Sequence, residues 1–381
     1  MAKITTNFFQ RLQQSRMVAL LLTIMGLFFG LWFCISTITN LALYEQDATR
    51  HAKTLTDGKN NVTSVDVDQI DVNNDNKLIH IVGETTVDEI IVDKLFKIEV
   101  VNVIKLHRIV QMYQWQEDDD SNYKKVWSKQ FINSKKFANP NQHKNPNLPF
   151  TSKVMTAKQV ILGDFIVPNL LVKKMDHYQE LPMQGLWQEQ ENLRKLFPNK
   201  KIHFTAGSYY IGRDFKQPKI GDLKLSFMAV LPENISIIAK QGSQLGPYIT
   251  ANGGSIELFE YGIFTKERMF RNARTSLFTT GIQPRLESIL LIFIGIYIIF
   301  HILWVASPSL LNPNDFRGWL LALIISVSLT LSVISFSWHE YNSTIGKVLF
   351  TLAVIILYLL KFTYKPQKLV SETIVPQKSE N

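Results

Sequence analysis

Hydrophobic residues are concentrated near the two ends of the chain, and the stretch between them is more polar. Residues 18–44 carry no charged side chain, and about 20 helical residues are enough to cross a hydrocarbon core of about 30 Å. Further apolar runs occupy residues 286–305, 318–338 and 345–362. The pattern therefore predicts four transmembrane helices, with short connectors between the last three.

Residues 45–280 show short runs in which apolar and polar residues alternate, which is typical of strands that bury one face. These runs lie at residues 78–82, 97–103, 222–230, 235–239 and 256–259. A helix is predicted from about residue 188 to 196. The expected fold is a multi-pass α-helical membrane protein with a large β-rich α+β extracytoplasmic domain.

Charges at the chain ends predict the orientation of the spans. Lys3, Arg11 and Arg16 precede the first span without an acidic residue, as expected of a cytoplasmic flank. The first span is longer than a signal-peptide core, so we interpret it as a retained anchor. Four spans then place both tails, residues 1–17 and 363–381, in the cytoplasm and residues 45–280 on the other side.

The charged and metal-binding residue types give little indication of chemistry. The net charge is +9, but Lys and Arg are spread along the chain, which argues against a nucleic-acid partner. The single cysteine, Cys34, lies in the first predicted span, so no intramolecular disulfide is expected. No histidine pair has metal-site spacing and no phosphate loop or nucleophile elbow occurs. We therefore predict no metal, no cofactor and no enzymatic activity.

Residues 105–149 combine large aromatic residues with turn-forming Asn-Ser and Asn-Pro steps. Aromatic side chains usually build a core, and such steps usually build turns through side-chain to backbone hydrogen bonds. We expect Trp115 and Trp127 to lie in a core. The alternative is a binding surface for lipid headgroups or for a partner protein.

In this segment and beyond it, the chain resembles the transmembrane protein 43 family, also called LUMA. The residues that carry the resemblance, and that we take as structural or partner-binding positions, are Tyr113, Gln114, Trp115, Glu117, Trp127, Asn133, Ser134, Phe137, His143, Asn145, Pro146, Gly221 and Asp222. The predicted four-span layout agrees with this family. One departure is Gln142, where the family pattern leads us to expect glycine.

The resemblance implies a membrane-organising role without enzymatic activity. Eukaryotic members look like proteins of the endoplasmic reticulum and inner nuclear membrane that associate with lamins and emerin. The lysine- and isoleucine-rich composition favours a bacterial member, in the inner membrane with a periplasmic domain; the alternative is the endoplasmic reticulum or inner nuclear membrane with a lumenal domain. We expect a scaffold that forms a homo-oligomer and binds membrane lipid or membrane-protein partners.

Two other functions compete with the scaffold. A membrane-anchored enzyme acting on an envelope or lipid substrate would use Ser134 and His143, with Glu117 as an orienting acid. A transporter or channel ranks third, because the middle of each predicted span has no acidic or basic side chain.

One face of the third predicted span carries small hydroxyl side chains. Ser328, Ser332 and Ser335 share that face at helical spacing. We expect this face to pack against a neighbouring helix.

Overall fold

The computed structural model describes residues 16–184, 187–205, 207–306 and 313–363. Contacts divide the chain into two units. The helical unit takes in the chain up to Asp57, the loop Thr250–Gly254 and the chain from Phe270 onward; the β-rich unit is Gly58–Ile249 with Ser255–Met269. Apart from residues 16, 17 and 363, the two predicted tails lie outside the described residues.

The helices are α1 Arg16–Asn61, α2 Asn169–Lys174, α3 Trp187–Leu196, α4 Lys266–Thr280, α5 Ile282–Ala306, α6 Phe316–His339, α7 Ser343–Tyr358 and α8 Leu360–Thr363. The longer strands are β2 Leu78–Thr86, β5 Lys105–Glu117, β6 Tyr123–Ser128, β13 Leu223–Val230 and β14 Asn234–Lys240. The shorter strands are β1 Thr63–Ser64, β3 Ile91–Asp93, β4 Ile98–Val100, β7 Lys153–Thr156, β8 Ile161–Leu162, β9 Phe165–Ile166, β10 Tyr178–Leu181, β11 Ile202–Thr205, β12 Ser208–Ile211, β15 Tyr248–Ile249, β16 Ser255–Ile256 and β17 Leu258–Tyr261.

Among the described residues, three helical segments are long and apolar enough to cross a membrane. They are α1, the segment formed by α4 and α5 together, and α6. The fourth predicted span, residues 345–362, overlaps the start of α8 and most of α7, which has 16 residues and is a shorter apolar helix. At about 1.5 Å per residue such a helix covers about 24 Å, less than a typical hydrocarbon core. Four spans and their orientation stay predictions.

The boundaries at residues 45 and 280 differ from those of the structure. Helix α1 continues without a break past Tyr44 to Asn61, and contacts assign its part up to Asp57 to the helical unit. The reason is that residues 45–53 are mostly good helix formers (Glu, Gln, Ala, Arg and Lys) and include no glycine or proline, so the helix leaves the apolar run without ending. The part of α4 from Phe270 onward likewise belongs to the helical unit, whereas its first turn, up to Met269, belongs to the β-rich unit.

The β-rich unit contains two larger sheets. One has the order β17-β14-β2-β8-β9 with β1 added beside β2; the other has the order β11-β12-β13-β5-β6 with β10 beside β13 and β7 beside β5. The larger sheets share one apolar core, in which Ile81 and Ile237 of the first lie with Val110 and Phe227 of the second. Inside this unit, Arg108 forms a buried ion pair with Asp93 at 2.8 Å.

Candidate functional site

The family-motif residues are organised by the long antiparallel pair of β5 and β6. Successive side chains of a strand point to opposite faces of the sheet. Met112 and Gln114 are buried on the inner face, whereas Tyr113 and Trp115 are half-buried on the outer face. Trp127 of β6 lies directly opposite Tyr113, with ring centroids 5.2 Å apart. The expected core position is therefore wrong for Trp115 and Trp127.

Asn145 fastens the loop that follows β6 back onto β5. Its Oδ1 accepts the Trp115 N–H at 2.7 Å, and its Nδ2 donates to the carbonyls of Trp115 at 2.9 Å and Ile132 at 3.1 Å. Its own N–H donates to the Ser134 hydroxyl at 3.0 Å. The Asn145 side chain thus takes the place of a neighbouring strand and satisfies the N–H and carbonyl of Trp115. It is 5% exposed, so loss of these partners would leave buried polar groups unpaired.

Gln114 closes the same loop from the inner face. Its Oε1 accepts the Ile132 N–H and its Nε2 donates to the Gln130 carbonyl, both at 2.9 Å. Asn133 then caps the short 3-10 helix at 134–136 by accepting the Lys135 N–H at 3.1 Å.

Glu117, Tyr123, Phe137 and His143 form a second cluster at the end of the hairpin. Glu117 accepts hydrogen bonds from the Tyr123 hydroxyl at 2.6 Å and from the Ala138 N–H at 3.0 Å. The bond to the carboxylate, with a contribution from desolvation, raises the pKa of Tyr123. The His143 ring stacks on Tyr123 at 3.6 Å and meets Trp115 edge-on at 4.7 Å. The Phe137 ring meets Tyr123 edge-on at 5.9 Å.

Gly221 and Asp222 join the neighbouring strand to this hairpin. Gly221 has φ +89°, and a Cβ there would lie 2.9 Å from Cγ of Pro146, so glycine is needed for both reasons. The Tyr113 N–H donates to the Asp222 carbonyl at 2.9 Å. The Asp222 carboxylate accepts the Tyr210 hydroxyl at 2.5 Å, and burial together with this carboxylate strongly raises the pKa of Tyr210.

The outer face of the hairpin combines aromatic rings with ammonium groups. Lys125 Nζ lies 4.8 Å from the ring centroid of Trp115, and Lys224 Nζ lies 4.3 Å from that of Trp127. Cations over aromatic rings attract the rings' negative faces. We call this surface the aromatic–lysine face; its residues are Tyr113, Trp115, Tyr123, Lys125, Trp127 and Lys224.

Comparison with known proteins decides the family. Residues 112–343 match the family described as Transmembrane protein 43, which is more than half of the chain. The chain belongs to the transmembrane protein 43 family. Its match begins at Met112 and therefore includes the whole set of motif residues described above.

Relatives of this family cover most of the chain. The chain is 25% identical over 363 residues to Transmembrane protein 43 of Mus musculus, covering 87% of this chain and 88% of that protein. It is 26% identical to the Homo sapiens protein over 350 residues, 83% of this chain and 84% of the other. The Transmembrane protein 43 homolog of Drosophila melanogaster is 28% identical over 350 residues, 84% of this chain and 90% of the other. No solved structure matches.

The residues proposed for the enzyme alternative are engaged separately. The Ser134 hydroxyl accepts the Asn145 N–H, and Glu117 is bonded to Tyr123 and Ala138. His143 Nδ1 lies 3.4 Å from the Asn139 carbonyl. A catalytic triad needs the base to contact the nucleophile, and no hydrogen bond joins these two described side chains.

The serine face of α6 contacts the next helix at two of its three positions. Ser328 donates to the Ala353 carbonyl and Ser335 to the Gly346 carbonyl, each at 2.7 Å. Ser332 donates to the Ser328 carbonyl of its own helix at 2.8 Å. Short side chains at these positions let α6 and α7 approach closely.

A buried ion pair in the helical unit is not among the features predicted from the sequence. Glu45 is 0% exposed and holds Arg285 through two hydrogen bonds, of 2.7 and 2.9 Å. The Trp338 indole N–H donates to the same carboxylate at 2.6 Å. We call these residues the Glu45 clasp. Their positions in the sequence were an available clue to this contact, because each of the three residues lies at one end of a predicted span.

A close glycine contact joins α1 to α5 and was also missed. A Cβ on Gly30 would lie 3.2 Å from the carbonyl oxygen of Gly295, and one on Gly295 would collide with Cys34 Sγ. Gly26 and Gly30 have the small-residue spacing that permits such approach of helix backbones. The glycine spacing in the first span therefore carried the relevant signal.

Within the described residues, no three His, Cys, Asp or Glu side chains are grouped so that they could hold a metal ion.

Proposed function

We propose that this protein is a non-enzymatic scaffold of a membrane, and that its aromatic–lysine face binds an acidic segment of a partner protein. The observation that carries the proposal is the pair of ammonium groups placed over half-exposed tryptophan rings, Lys125 over Trp115 and Lys224 over Trp127. Membership of the transmembrane protein 43 family supports the membrane part of the proposal.

The residue types of this face suit protein recognition. Tryptophan and tyrosine supply large apolar area at small entropic cost, and they are enriched among residues that dominate binding energy. Lysines beside them attract carboxylates and increase the rate of encounter. Each exposed cation–aromatic pair stabilises its own geometry by about 0.5–1 kcal/mol, so the rings and charges are held together before binding.

The loop network behind the face supports the same proposal. Asn145 and Glu117 tie the loop to the hairpin through buried or multiple hydrogen bonds. A surface that is ordered before binding loses less conformational entropy when a partner arrives. The motif residues therefore act in this proposal as a rigid support for the outer rings.

Assembly and location complete the proposal. Several copies in a homo-oligomer would bind a multivalent partner more tightly than one copy could, through effective concentration. The positive flank ahead of the first span supports a cytoplasmic N-terminus, with the β-rich unit on the other side. That side is the periplasm in a bacterium and the lumen in an endoplasmic-reticulum or inner-nuclear-membrane relative.

Gradient sedimentation with crosslinking tests the proposal on the full chain in mild detergent. The variants are Lys125→Glu combined with Lys224→Glu, and Lys153→Glu as control. Lys153 is exposed and pairs with inward-facing Arg108, so it lies on the other face of the sheet.

We expect the parent and the Lys153→Glu control to sediment as a homo-oligomer with a crosslinked partner protein, and the double variant to lose the partner while the homo-oligomer remains. A monomeric parent without partners or lipid contradicts the proposal. Equal recovery of the crosslinked partner with the double variant and with the control contradicts the assigned face.

A further inference from the structure

A groove of about 400 Å³ runs between α6 and α7 close to the turn that joins them. Its walls include the rings of Phe336 and Phe350, which are 77% and 56% exposed. Ser335 and Gly346 are buried beneath these rings. The groove lies wholly within the helical unit and is separate from the aromatic–lysine face.

The groove results from close approach of two helices with large side chains on either side. A Cβ on Gly346 would lie 2.6 Å from the Cα of His339, so only glycine permits this distance. The Ser335 hydroxyl bonds the Gly346 carbonyl at 2.7 Å, which satisfies the polar groups at the bottom. Small residues below and phenylalanines above leave an open, mainly apolar channel.

Basic side chains line the groove toward the helix ends. His339 is the last residue of α6, and Lys347 lies in the first turns of α7. Among the described residues, no carboxylate forms an ion pair with Lys347. Glu340 is exposed and does not line the groove. Lysines near the ends of membrane helices extend toward the headgroup layer, where lipid phosphates lie.

We propose that this groove binds one anionic phospholipid. Its phosphate takes hydrogen bonds from the Lys347 ammonium and lies beside His339, and one acyl chain lies between Phe336 and Phe350. The apolar walls fit a hydrocarbon chain, and the unpaired ammonium at the helix ends fits a phosphate. A neutral or zwitterionic lipid would fill the channel equally well but would gain less from Lys347.

Thermal melting of the full chain in mild detergent measures this binding. The probes are dioctanoyl phosphatidylglycerol and dioctanoyl phosphatidylcholine, with glycerol phosphate as the headgroup without chains. A ligand that binds only the folded protein raises its melting temperature, and the increase grows with the logarithm of the ratio of ligand concentration to Kd. We expect phosphatidylglycerol to stabilise the parent at lower concentration than phosphatidylcholine, and glycerol phosphate to have no effect.

Three variants separate the headgroup contact from the channel. Lys347→Gln should weaken the binding of phosphatidylglycerol on the order of tenfold, because it removes a charge-assisted hydrogen bond, and should weaken that of phosphatidylcholine less. Thr351→Trp fills the channel and should abolish the binding of both lipids. Leu352→Trp is the matched control, since Leu352 is exposed on α7 but does not line the groove.

Each result decides the proposal. Equal stabilisation of the parent by both lipids overturns it, as does unchanged phosphatidylglycerol binding in Thr351→Trp. Stabilisation by glycerol phosphate as strong as by phosphatidylglycerol identifies a plain anion site and overturns it too. If Thr351→Trp fails to fold, Lys347→Gln still decides, because Lys347 is exposed and its removal leaves no buried group unpaired.

Discussion

The Glu45 clasp should be a main source of stability in the helical unit, and Arg285→Gln tests this. The change leaves the Glu45 carboxylate buried without its cation. Breaking a buried pair from one side costs about 3–5 kcal/mol. The Arg285 side chain is 19% exposed, so water compensates part of the loss and we expect about 3 kcal/mol.

The assay is thermal melting of the full chain in mild detergent. A loss of about 3 kcal/mol corresponds to a decrease in melting temperature of roughly 6–12 °C. Trp338→Phe removes the indole donor to the same carboxylate and should cost about 1.5–3 kcal/mol, the usual value for a hydrogen bond to a charged group. Glu45→Gln combined with Arg285→Gln leaves no unpaired charge and should be more stable than the sum of the single changes predicts.

Glu287→Gln is the control for this series. Glu287 is exposed on α5, two residues from Arg285, and its change should leave the melting temperature nearly unaltered. Equal melting of Arg285→Gln and Glu287→Gln would refute the reasoning. Strict additivity of the Glu45 and Arg285 changes would also refute the direct coupling.

Four further predictions concern other parts of the molecule. Asn145→Ala should destabilise the β-rich unit by about 2–4 kcal/mol, because it leaves buried backbone groups unpaired, whereas exposed Asn122→Ala should change little in the same melting assay. Gly295→Leu should prevent the approach of α5 to α1 and lower the yield of folded protein in detergent, whereas Thr39→Leu on the exposed side of α1 should be tolerated. Burial lowers the pKa of His80 in the folded state, so the stability that this histidine contributes is present above its unfolded pKa of about 6.5 and is lost as the pH falls below that value. Melting curves between pH 7.5 and 5 should show this loss of stability. His80→Gln should make the loss smaller, whereas His51→Gln, at an exposed position, should not change it. Cysteines placed at positions 312 and 175 of a Cys34-free chain should be labelled from opposite sides of the membrane, and labelling from the same side contradicts the four-span topology.

The sequence predicted the parts of the fold that depend on one-dimensional periodicity. The apolar runs at 18–44, 286–305 and 318–338 lie within α1, α5 and α6, and the alternating runs at 78–82 and 235–239 lie within β2 and β14. Each of these runs is either predominantly apolar over the length of a span or rich in apolar, β-branched residues over the length of a strand. The pattern is then visible without knowledge of the partner.

Strand β5 shows why other elements escaped prediction. Its inner face contains Arg108 and Gln114, whose polar groups are satisfied by Asp93 and by loop backbone. Its outer face carries Tyr113 and Trp115. Polar and apolar residues are therefore mixed on both faces, since the inner face also carries buried Val110 and Met112. The strand is recognisable only once its partners are known.

The candidate site was predictable in membership but not in arrangement. The motif from Tyr113 to Pro146 identified the residues that the hairpin brings together. Its sequence does not reveal that Asn145 bonds Trp115 across the loop, since that pairing depends on tertiary closure. Lys224, which lies over Trp127, comes from a strand far along the chain and has no local signal.

Site-directed photocrosslinking in native membranes tests the central proposal most directly. A photoreactive amino acid at position 111 lies on the aromatic–lysine face, because Gln111 pairs with Lys224, and one at position 153 lies on the other face. We predict a crosslink from position 111 to an acidic segment of another protein, and we expect it to be lost when Lys125 and Lys224 are changed to Glu. No adduct at position 111, or equal adducts at both positions, would contradict it.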